Sequence, residues 1–350
     1  MGYQNIGQTG GMNIAGQNSK GALKVARHLL VYDYDWWVLG AKAKMIQQHH
    51  PFLDICSLAE LKGSVAEKGA SAINSSYDVI AALGLGIAQT LSFIGIRVDS
   101  SQIGSYNYLT KNHQAYREWS DHFKANHDFF RRMMKAARYG AISPKLAYEV
   151  KKRLPHKTVS FIRPFVDTER FCPSPTKPAD NKGKIVIGWV GNDKRKVKNY
   201  HTLYKALVRA FANDPNVVFI EATRSATVPL EKMPSFYNKL DLLLITSSNE
   251  GGPAPAMEAY ASGVPVLSTN VGYVKTVAGP KCRSLVIDSL ALQDFANKIR
   301  ELQADKDYLI ELKQEARAQM VAHFTVEKTI GDWLEVLFAI KPKPSKGEST

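Results

Sequence analysis

Cysteine is scarce in this chain. Cys56, Cys172 and Cys282 stand at unrelated spacings among 350 residues. They compose no disulfide framework and no thiolate metal set, so a reducing cytoplasm is the expected setting. Acidic charge is short as well: 32 Asp and Glu face 46 Lys and Arg, a formal net charge of +14. Residues 1–180 hold 23 basic against 14 acidic side chains, and residues 181–350 hold 23 against 18, so the first half is the more basic. Such a field favours anionic partners (nucleotide phosphates, acidic lipid or nucleic acid) without choosing among them. The opening MGYQNIGQTGGMNIAG lacks the basic-then-apolar form of a signal peptide. One uncharged run, Val79 to Ile96, reaches 18 residues, but it includes Gly84, Gly86, Gln89, Thr90, Ser92 and Gly95. It reads as a strand, a turn and a short buried helix rather than a membrane span. No internal repeat, helix-turn-helix or RNA-binding motif is found.

What is present suits two domains, each able to bury its own core. Hydrophobic residues make up 45% and charged residues 22%, as in ordinary globular chains. After the Gly-rich residues 7–16, KGALKVARHLL reads as a helix and YDWWVLGA as strand-like. LDICSLAEL and the strand YDVIAALG follow, then the helix IAQTLSFIG and the strand IRVDSS. This alternation predicts parallel α/β layers. Residues 111–138 place Tyr116, Trp119, Phe123, Phe130, Met134 and Ala137 on one helical stripe, with arginines and lysines interspersed. That is expected as a core-facing amphipathic helix or helix pair. The same basic, aromatic face would also suit peripheral contact with acidic membrane, at the inner face for a cytoplasmic protein. PSPTKPADNKGK, residues 173–184, has linker composition. A second α/β block follows, with strands KIVIGWVG, NVVFIEAT, LDLLLITS and VPVLST, then helical segments around 290–320 and 325–340. The tail KPKPSKGEST, residues 341–350, is expected to be disordered.

NEGGPAPAMEAYASGVPVLST, residues 249–269, concentrates the chemistry. A buried strand ends before it, a loop with two glycines follows, and a helix can open at Pro253 to Pro255. The helix stops at Ser262–Gly263, and the next parallel strand begins. Open α/β sheets bind ligands at such carboxyl-end loops. Gly251 and Gly252 let backbone approach a ligand, and the helix N-terminus behind them suits a phosphate. Glu250 lies before the helix and Glu258 about one turn inside it, so both can face one cleft. Carboxylates there can accept hydrogen bonds from sugar hydroxyls.

The order Glu250, Gly251, Pro253, Glu258, Ala259, Ala261, Gly263, Pro265, Val266 resembles the E-x7-E signature of glycosyltransferase family 4. IGWVGNDKRKVKN, MPSFYNKLDLLLITS, TNVGYVKTV and YGAISPKLAYEVKKRLPHKTVSFIRPFVDTERFCP are similar to other segments of that family, over about residues 138–340. The resemblance implies the GT-B fold, two Rossmann-like domains facing across a cleft. Residues 1–172 would be the acceptor domain and 173–184 the linker. Residues 185–322 would be the nucleotide-sugar domain, and a helix within 323–340 would pack back toward the N-terminal domain.

The resemblance further implies a retaining, metal-independent transferase that needs no cofactor. It would move a sugar from a nucleotide sugar to a hydroxyl of a glycan, a lipid-linked intermediate or a modified nucleic acid. Glu258 would bind ribose hydroxyls, and Glu250 would lie near the transferred sugar. Gly251, Gly252, Pro253 and Ala254 would line the donor site, with Gly191, Asn192 and Asn199 in the facing loop. Lys198 matches one member of the basic pair that neutralises the leaving diphosphate. Asn192 stands where relatives carry arginine, so Arg195 is taken as the substitute. Gly10 and Gly11 are similar to the first donor-side Gly-rich loop, yet the apolar strand expected before them is short or missing. Gly84 and Gly86 replace a histidine usual after the third strand.

Two rival readings follow from the residues. Gly84-Leu-Gly86 with Gln89 follows a strand, and Asp99 is read as ending the next one; this echoes a dinucleotide fingerprint, though the third glycine is missing and the acid comes early, and would make the chain an NAD-dependent oxidoreductase. Alternatively the fold binds a nucleotide sugar or nucleic acid without transfer. Asp33-Tyr34-Asp35 matches the metal motif of another glycosyltransferase fold but is read as preceding a strand, not following one.

Overall fold

The computed structural model describes residues 26–36, 38–104, 136–174 and 183–341. Two all-parallel sheets carry the chain. The first has the order β2-β1-β3-β4-β5-β6, built from β1 (His28–Tyr32), β2 (Leu53–Ser57), β3 (Val79–Leu83), β4 (Ser100–Ile103), β5 (Arg138–Ala141) and β6 (Thr158–Phe161). Helices α1 (Val38–Gln48), α2 (Leu58–Lys68), α3 (Ala70–Ser76), α4 (Leu85–Phe93) and α5 (Pro144–Arg153) connect them. Two of these starts are set locally. Ser57 caps α2 in a reciprocal capping box with Glu60, and Ser143 caps α5 with Pro144 at its first position.

Strand alternation splits the apolar side chains between two faces. Leu29, Val31, Ile80 and Ala82 enter one core with Leu61, Leu85, Leu146 and Val150. Leu30, Tyr32, Ala81 and Leu83 enter the other with Ala43, Ile46 and Trp333. Such strands read as continuous apolar runs because both faces are covered.

The second sheet has the order β11-β10-β9-β7-β8, from β7 (Ile185–Gly191), β8 (Val217–Thr223), β9 (Leu242–Ile245), β10 (Val266–Thr269) and β11 (Val286–Ile287). Its helices are α6 (Lys205–Ala210), α7 (Met233–Tyr237), α8 (Ala254–Ala261), α9 (Val274–Val277), α10 (Leu292–Ala304) and α11 (Lys306–His323). The last helix, α12 (Val326–Phe338), returns to the first sheet. There Ser100 Oγ donates to the Leu337 carbonyl at 2.6 Å, and Arg138 Nε donates to the Val336 carbonyl at 2.9 Å. A cation on the closing carbonyls of a helix satisfies both hydrogen bonding and dipole. Gly140 permits the packing: a Cβ there would fall 3.1 Å from Val336 Cγ1.

β1 and the start of α1 correct the sequence reading. HLL, the end of the expected helix KGALKVARHLL, belongs to the strand β1, HLLVY. VLGA, the end of strand-like YDWWVLGA, opens α1 instead. β1 is buried on every residue, and a short apolar run buried on both faces has no periodicity to separate it from a helix. β1 lies between β2 and β3 in the sheet, after the Gly-rich stretch and not before it. Asp33-Tyr34-Asp35 therefore follows a strand directly, contrary to its reading above. Gly10 and Gly11, nearly all of the stripe 111–138, most of the linker and residues 342–350 lie outside the described residues.

The Val79–Ile96 run is β3, a turn and α4. Among the described residues no helix is long and apolar enough to cross a membrane. The dinucleotide reading fails on position. Asp99 precedes β4, accepts from Ile80 N at 2.8 Å and pairs with Arg97 at 2.9 Å. It sits at the amino end of the sheet, whereas Gly84 and Gly86 sit at the carboxyl end. A ribose-binding acid belongs at the carboxyl end with the glycines.

Candidate functional site

The second sheet reverses its strand order at β7, which pairs with β8 on one side and β9 on the other. A crevice outside the carboxyl ends of strands opens at such a point. The loops after β7 and β9 meet there and are closely knit. Asn199 Nδ2 donates to the Thr246 carbonyl at 2.9 Å, and Thr246 Oγ1 donates to the Lys198 carbonyl at 2.7 Å. Trp189 Nε1 donates to Thr246 Oγ1 at 3.1 Å, and Ser248 N to the Val197 carbonyl at 2.8 Å.

The chain between Arg195 and Tyr204 is irregular. A 3-10 turn at Lys196–Lys198 leads to Asn199 in the left-handed region (φ 51°), then to a π-helical turn at Tyr200–Tyr204. Asparagine tolerates that backbone better than most residues, and π turns cluster at functional sites. The outcome is the placement of Lys198. Its Nζ forms an ion pair with Glu250 Oε1, and the side chains are only 12% and 8% exposed. Ser247 Oγ donates to the same oxygen at 2.8 Å. Asn192, at the position where the resemblance expects arginine, serves the loop itself: its Oδ1 accepts from Lys194 N at 3.1 Å. Arg195 is half-buried at the head of the 3-10 turn, its N–H donating to the Asn192 carbonyl at 3.2 Å.

Gly251 and Gly252 carry the chain from Glu250 into α8. A Cβ on Gly252 would fall 2.1 Å from the Tyr273 ring and 2.7 Å from Ile142 Cδ1. Ile142 follows β5, so the carboxyl end of the first sheet abuts this loop across the cleft. No side chain caps α8, whose N-cap is Pro253 and first residue Ala254. Pro255 has no N–H and Ala256 N donates to the Pro253 carbonyl at 2.9 Å, so this end offers an anion the Ala254 N–H and the positive end of the helix dipole.

Glu258 lies one turn further on. Tyr237 Oη donates to Glu258 Oε2 at 2.6 Å. Burial pushes the Glu258 carboxyl above the usual glutamate range, against the lowering effects of Tyr237, Arg170 and Lys42. Lys42 comes from α1 of the first domain, donates to the Phe165 carbonyl at 2.9 Å and sits 4.0 Å from the Phe165 ring centre. Burial brings its ammonium down to about 8, partly offset by Glu258. Burial also raises the Tyr273 hydroxyl well above its ordinary value, and both Glu258 and Glu250 add to that. Both carboxylates are thus within electrostatic reach of the Tyr273 hydroxyl.

The structure thus brings together Lys198, Glu250, Gly251, Gly252, Pro253 and the N-terminus of α8, with Glu258 beside them around Tyr273. Gly191 ends β7, with the Trp189 ring 3.0 Å from where its Cβ would stand. Tyr237, Ser247, Lys42 and Arg170 were not singled out from the sequence. Tyr237 lies 21 residues from Glu258, and Lys42 belongs to the other domain, so no local spacing links either to the motif. Tyr273 in TNVGYVKTV, Tyr237 and Ser247 in MPSFYNKLDLLLITS, and Arg170 near the end of the segment 139–173 lie within the stretches similar to the family, whereas Lys42 lies in none.

Residues 225–319 match the family model of glycosyl transferases group 1. A D-inositol 3-phosphate glycosyltransferase of Corynebacterium urealyticum is 25% identical over 230 residues, 55% of this chain and 54% of that protein. Another of the same description, from Nocardia farcinica, is 32% identical over 81 residues, 23% of this chain and 18% of that protein. The chain spans about half the length, or less, of the curated relatives it matches. Among solved structures, sucrose-phosphate synthase from Thermosynechococcus elongatus superposes with a TM-score of 0.68 at 13% identity, covering 89% of this chain and 99% of that one. Anabaena HepE in complex with UDP and glucose gives 0.64 at 14% identity, covering 90% and 100%. At these identities the likeness establishes the fold, which is GT-B: two parallel-sheet Rossmann-like domains.

Proposed function

We propose that this chain, whose residues 225–319 match glycosyl transferases group 1, transfers a sugar from a nucleotide-sugar donor to an acceptor hydroxyl with retention of configuration. The observation that carries the reading is the Lys198–Glu250 pair at the switch point of the second sheet, beside the uncapped N-terminus of α8. A diphosphate needs positive charge where it gains negative charge as it leaves. Lys198, the N-terminus of α8 with its Ala254 amide and, less directly, Arg195 supply it. Glu258 accepts the ribose hydroxyls, and Glu250 accepts from the transferred sugar.

In the transfer step the bond between the anomeric carbon and the β-phosphate oxygen breaks, with its electron pair going to the phosphate. The acceptor oxygen bonds to the anomeric carbon on the same face, and its proton passes to the departing phosphate oxygen. This route asks for neither a dedicated protein base nor a metal. Solved proteins of the same fold are in complex with UDP and UDP-glucose, which makes uridine nucleotides the first donors to try.

Calorimetric titration with UDP, GDP, ADP and their common sugar conjugates, without added metal, tests the reading on wild type and Glu258→Ala. One nucleoside diphosphate series should bind, and binding should weaken at least about tenfold in the variant, as for loss of a buried charged acceptor. Equal affinity in both proteins would remove Glu258 from the donor site. Absence of binding by the whole series would favour a fold without transfer.

A further inference from the structure

The loop after β1 stands outside everything assigned so far. It occupies the first sheet's own switch point, since β1 pairs with β2 on one side and β3 on the other. Its end of the sheet is the end that meets the donor loop, through Ile142 against Gly252. In this position Tyr34 and Trp36 are 57% and 65% exposed. Their rings are stacked, with centres 5.4 Å apart and planes 24° from parallel.

This pair is held in place. Asp33 Oδ1 accepts from Tyr34 N at 2.8 Å, and Tyr32 Oη donates to Asp35 Oδ1 at 2.7 Å. Lys44 Nζ lies 3.4 Å from the same Asp35 oxygen. Gly40 lets α1 lie directly under the loop, because a Cβ there would fall 2.4 Å from the Tyr34 carbonyl oxygen. A fixed aromatic surface loses little conformational freedom when a ligand covers it.

We propose that Tyr34 and Trp36 form a stacking platform for the acceptor, and that the part of the acceptor it recognises is an uncharged pyranose. The proposal rests on the transferase reading for the role of the bound sugar, though not for the binding itself. Large aromatic faces cover the C–H face of a sugar ring, and carboxylates beside them accept its hydroxyls. Asp33 and Asp35 supply those acceptors. The same two carboxylates select against phosphate at this spot, since among the described residues Lys44 is the one cation paired with either of them. A sugar phosphate, a nucleic-acid strand and an acidic bilayer are all disfavoured by that charge, whatever the net +14 of the chain offers elsewhere.

Saturation-transfer NMR on the full chain decides the matter, with maltose, cellobiose, mannobiose and methyl glucoside as neutral probes and inositol phosphate as the charged one. Phosphatidylglycerol vesicles are tested by co-sedimentation. The expected result is saturable binding of at least one neutral saccharide, weakened about tenfold in Trp36→Ala and restored in Trp36→Phe. Trp36 is mostly exposed, so neither variant threatens the fold. Gly40→Ala should reproduce the loss by displacing the loop. No neutral saccharide bound, or inositol phosphate or vesicles bound in a Trp36-dependent way, overturns the proposal. Nucleoside diphosphate titrations run alongside score the donor site. If they fail while a saccharide binds, the transfer reading falls and the platform stands.

Discussion

Lys198 and Glu250 hold each other almost out of water, so neither can be removed quietly. A pair this secluded is weak evidence for stability, yet breaking it leaves an uncompensated charge. We read Lys198 as a cation poised for the leaving diphosphate. Lys198→Met should lower kcat by about 10²–10³, the usual effect of losing one electrostatic stabiliser, with a smaller change in donor KM. Steady-state kinetics on the purified variant checks this, and a change confined to KM would reassign Lys198 to ground-state binding.

Glu258 makes a pH prediction. Its carboxyl titrates above the ordinary glutamate range because burial opposes ionisation. Accepting ribose hydroxyls requires the ionised form. Donor affinity should therefore fall on acidification at a higher pH than a free glutamate would dictate, and Tyr237→Phe should move that limb higher still, since Tyr237 favours the carboxylate. The stability sign is opposite. An acid whose folded pKa is raised stabilises the fold below its unfolded pKa and loses that contribution as pH rises through the folded value. Glu258→Gln should thus raise the melting temperature at neutral pH while abolishing donor binding. Scanning calorimetry from pH 4 to 8 separates the two effects.

Among elements, the 3-10, left-handed and π sequence between Lys196 and Tyr204 does what a regular helix could not. It turns Lys198 back toward β9 and anchors it there through Asn199 and Thr246. Asn199 has two separable roles, its backbone conformation and its side-chain bond. Asn199→Gly keeps the first and loses the second, whereas Asn199→Ala loses both and takes on about 1 kcal/mol of backbone strain. The turnover loss should be larger for alanine than for glycine, by about fivefold. Equal kcat values would mean that the loop conformation is fixed by other contacts. At the other end of the chain, α12 joins the first domain's core through Trp333, whose Nε1 donates to the Arg163 carbonyl at 2.8 Å. The two domains are therefore linked twice, by the segment after β6 and by this returning helix.

Across the whole molecule, Arg317 on α11 binds three carbonyls that belong to different stretches. They are Thr168 and Phe171 of the crossing segment, at 2.9 and 3.0 Å, and Ala261 at the end of α8, at 2.8 Å. It fixes the end of α8 to the crossing segment. Arg317→Met should cost about 3 kcal/mol or more, because charged hydrogen bonds are lost and buried carbonyls are left unmatched. Urea unfolding followed by tryptophan fluorescence checks this. Two resolved transitions in place of one would show that Arg317 also keeps the domains unfolding together. A loss below about 1 kcal/mol would show that water replaces it.

Much of this was legible along the chain. The loop-helix-strand unit at residues 249–269 is local chemistry: two glycines, a proline at the helix start, a glycine at its end and two buried strands as flanks. Each of those signals acts within a few residues, so sequence alone determined β9, α8, β10 and the places of Glu250, in the loop between β9 and α8, and Glu258, on α8. The parallel α/β class followed in the same way from alternating runs. Where the signals were ambiguous, only the tertiary structure decided. HLLVY is five apolar or neutral residues that could serve a helix or a strand equally, and it became an interior strand because β2 and β3 pair with it on either side. That choice in turn placed Tyr34 and Trp36 at a carboxyl-end loop. The surroundings of Glu258 were likewise invisible in sequence, since Tyr237, Arg170 and Lys42 come from three distant segments. Local residue chemistry acts over one or two turns of chain, whereas burial, charge pairing and pKa depend on which distant surfaces meet.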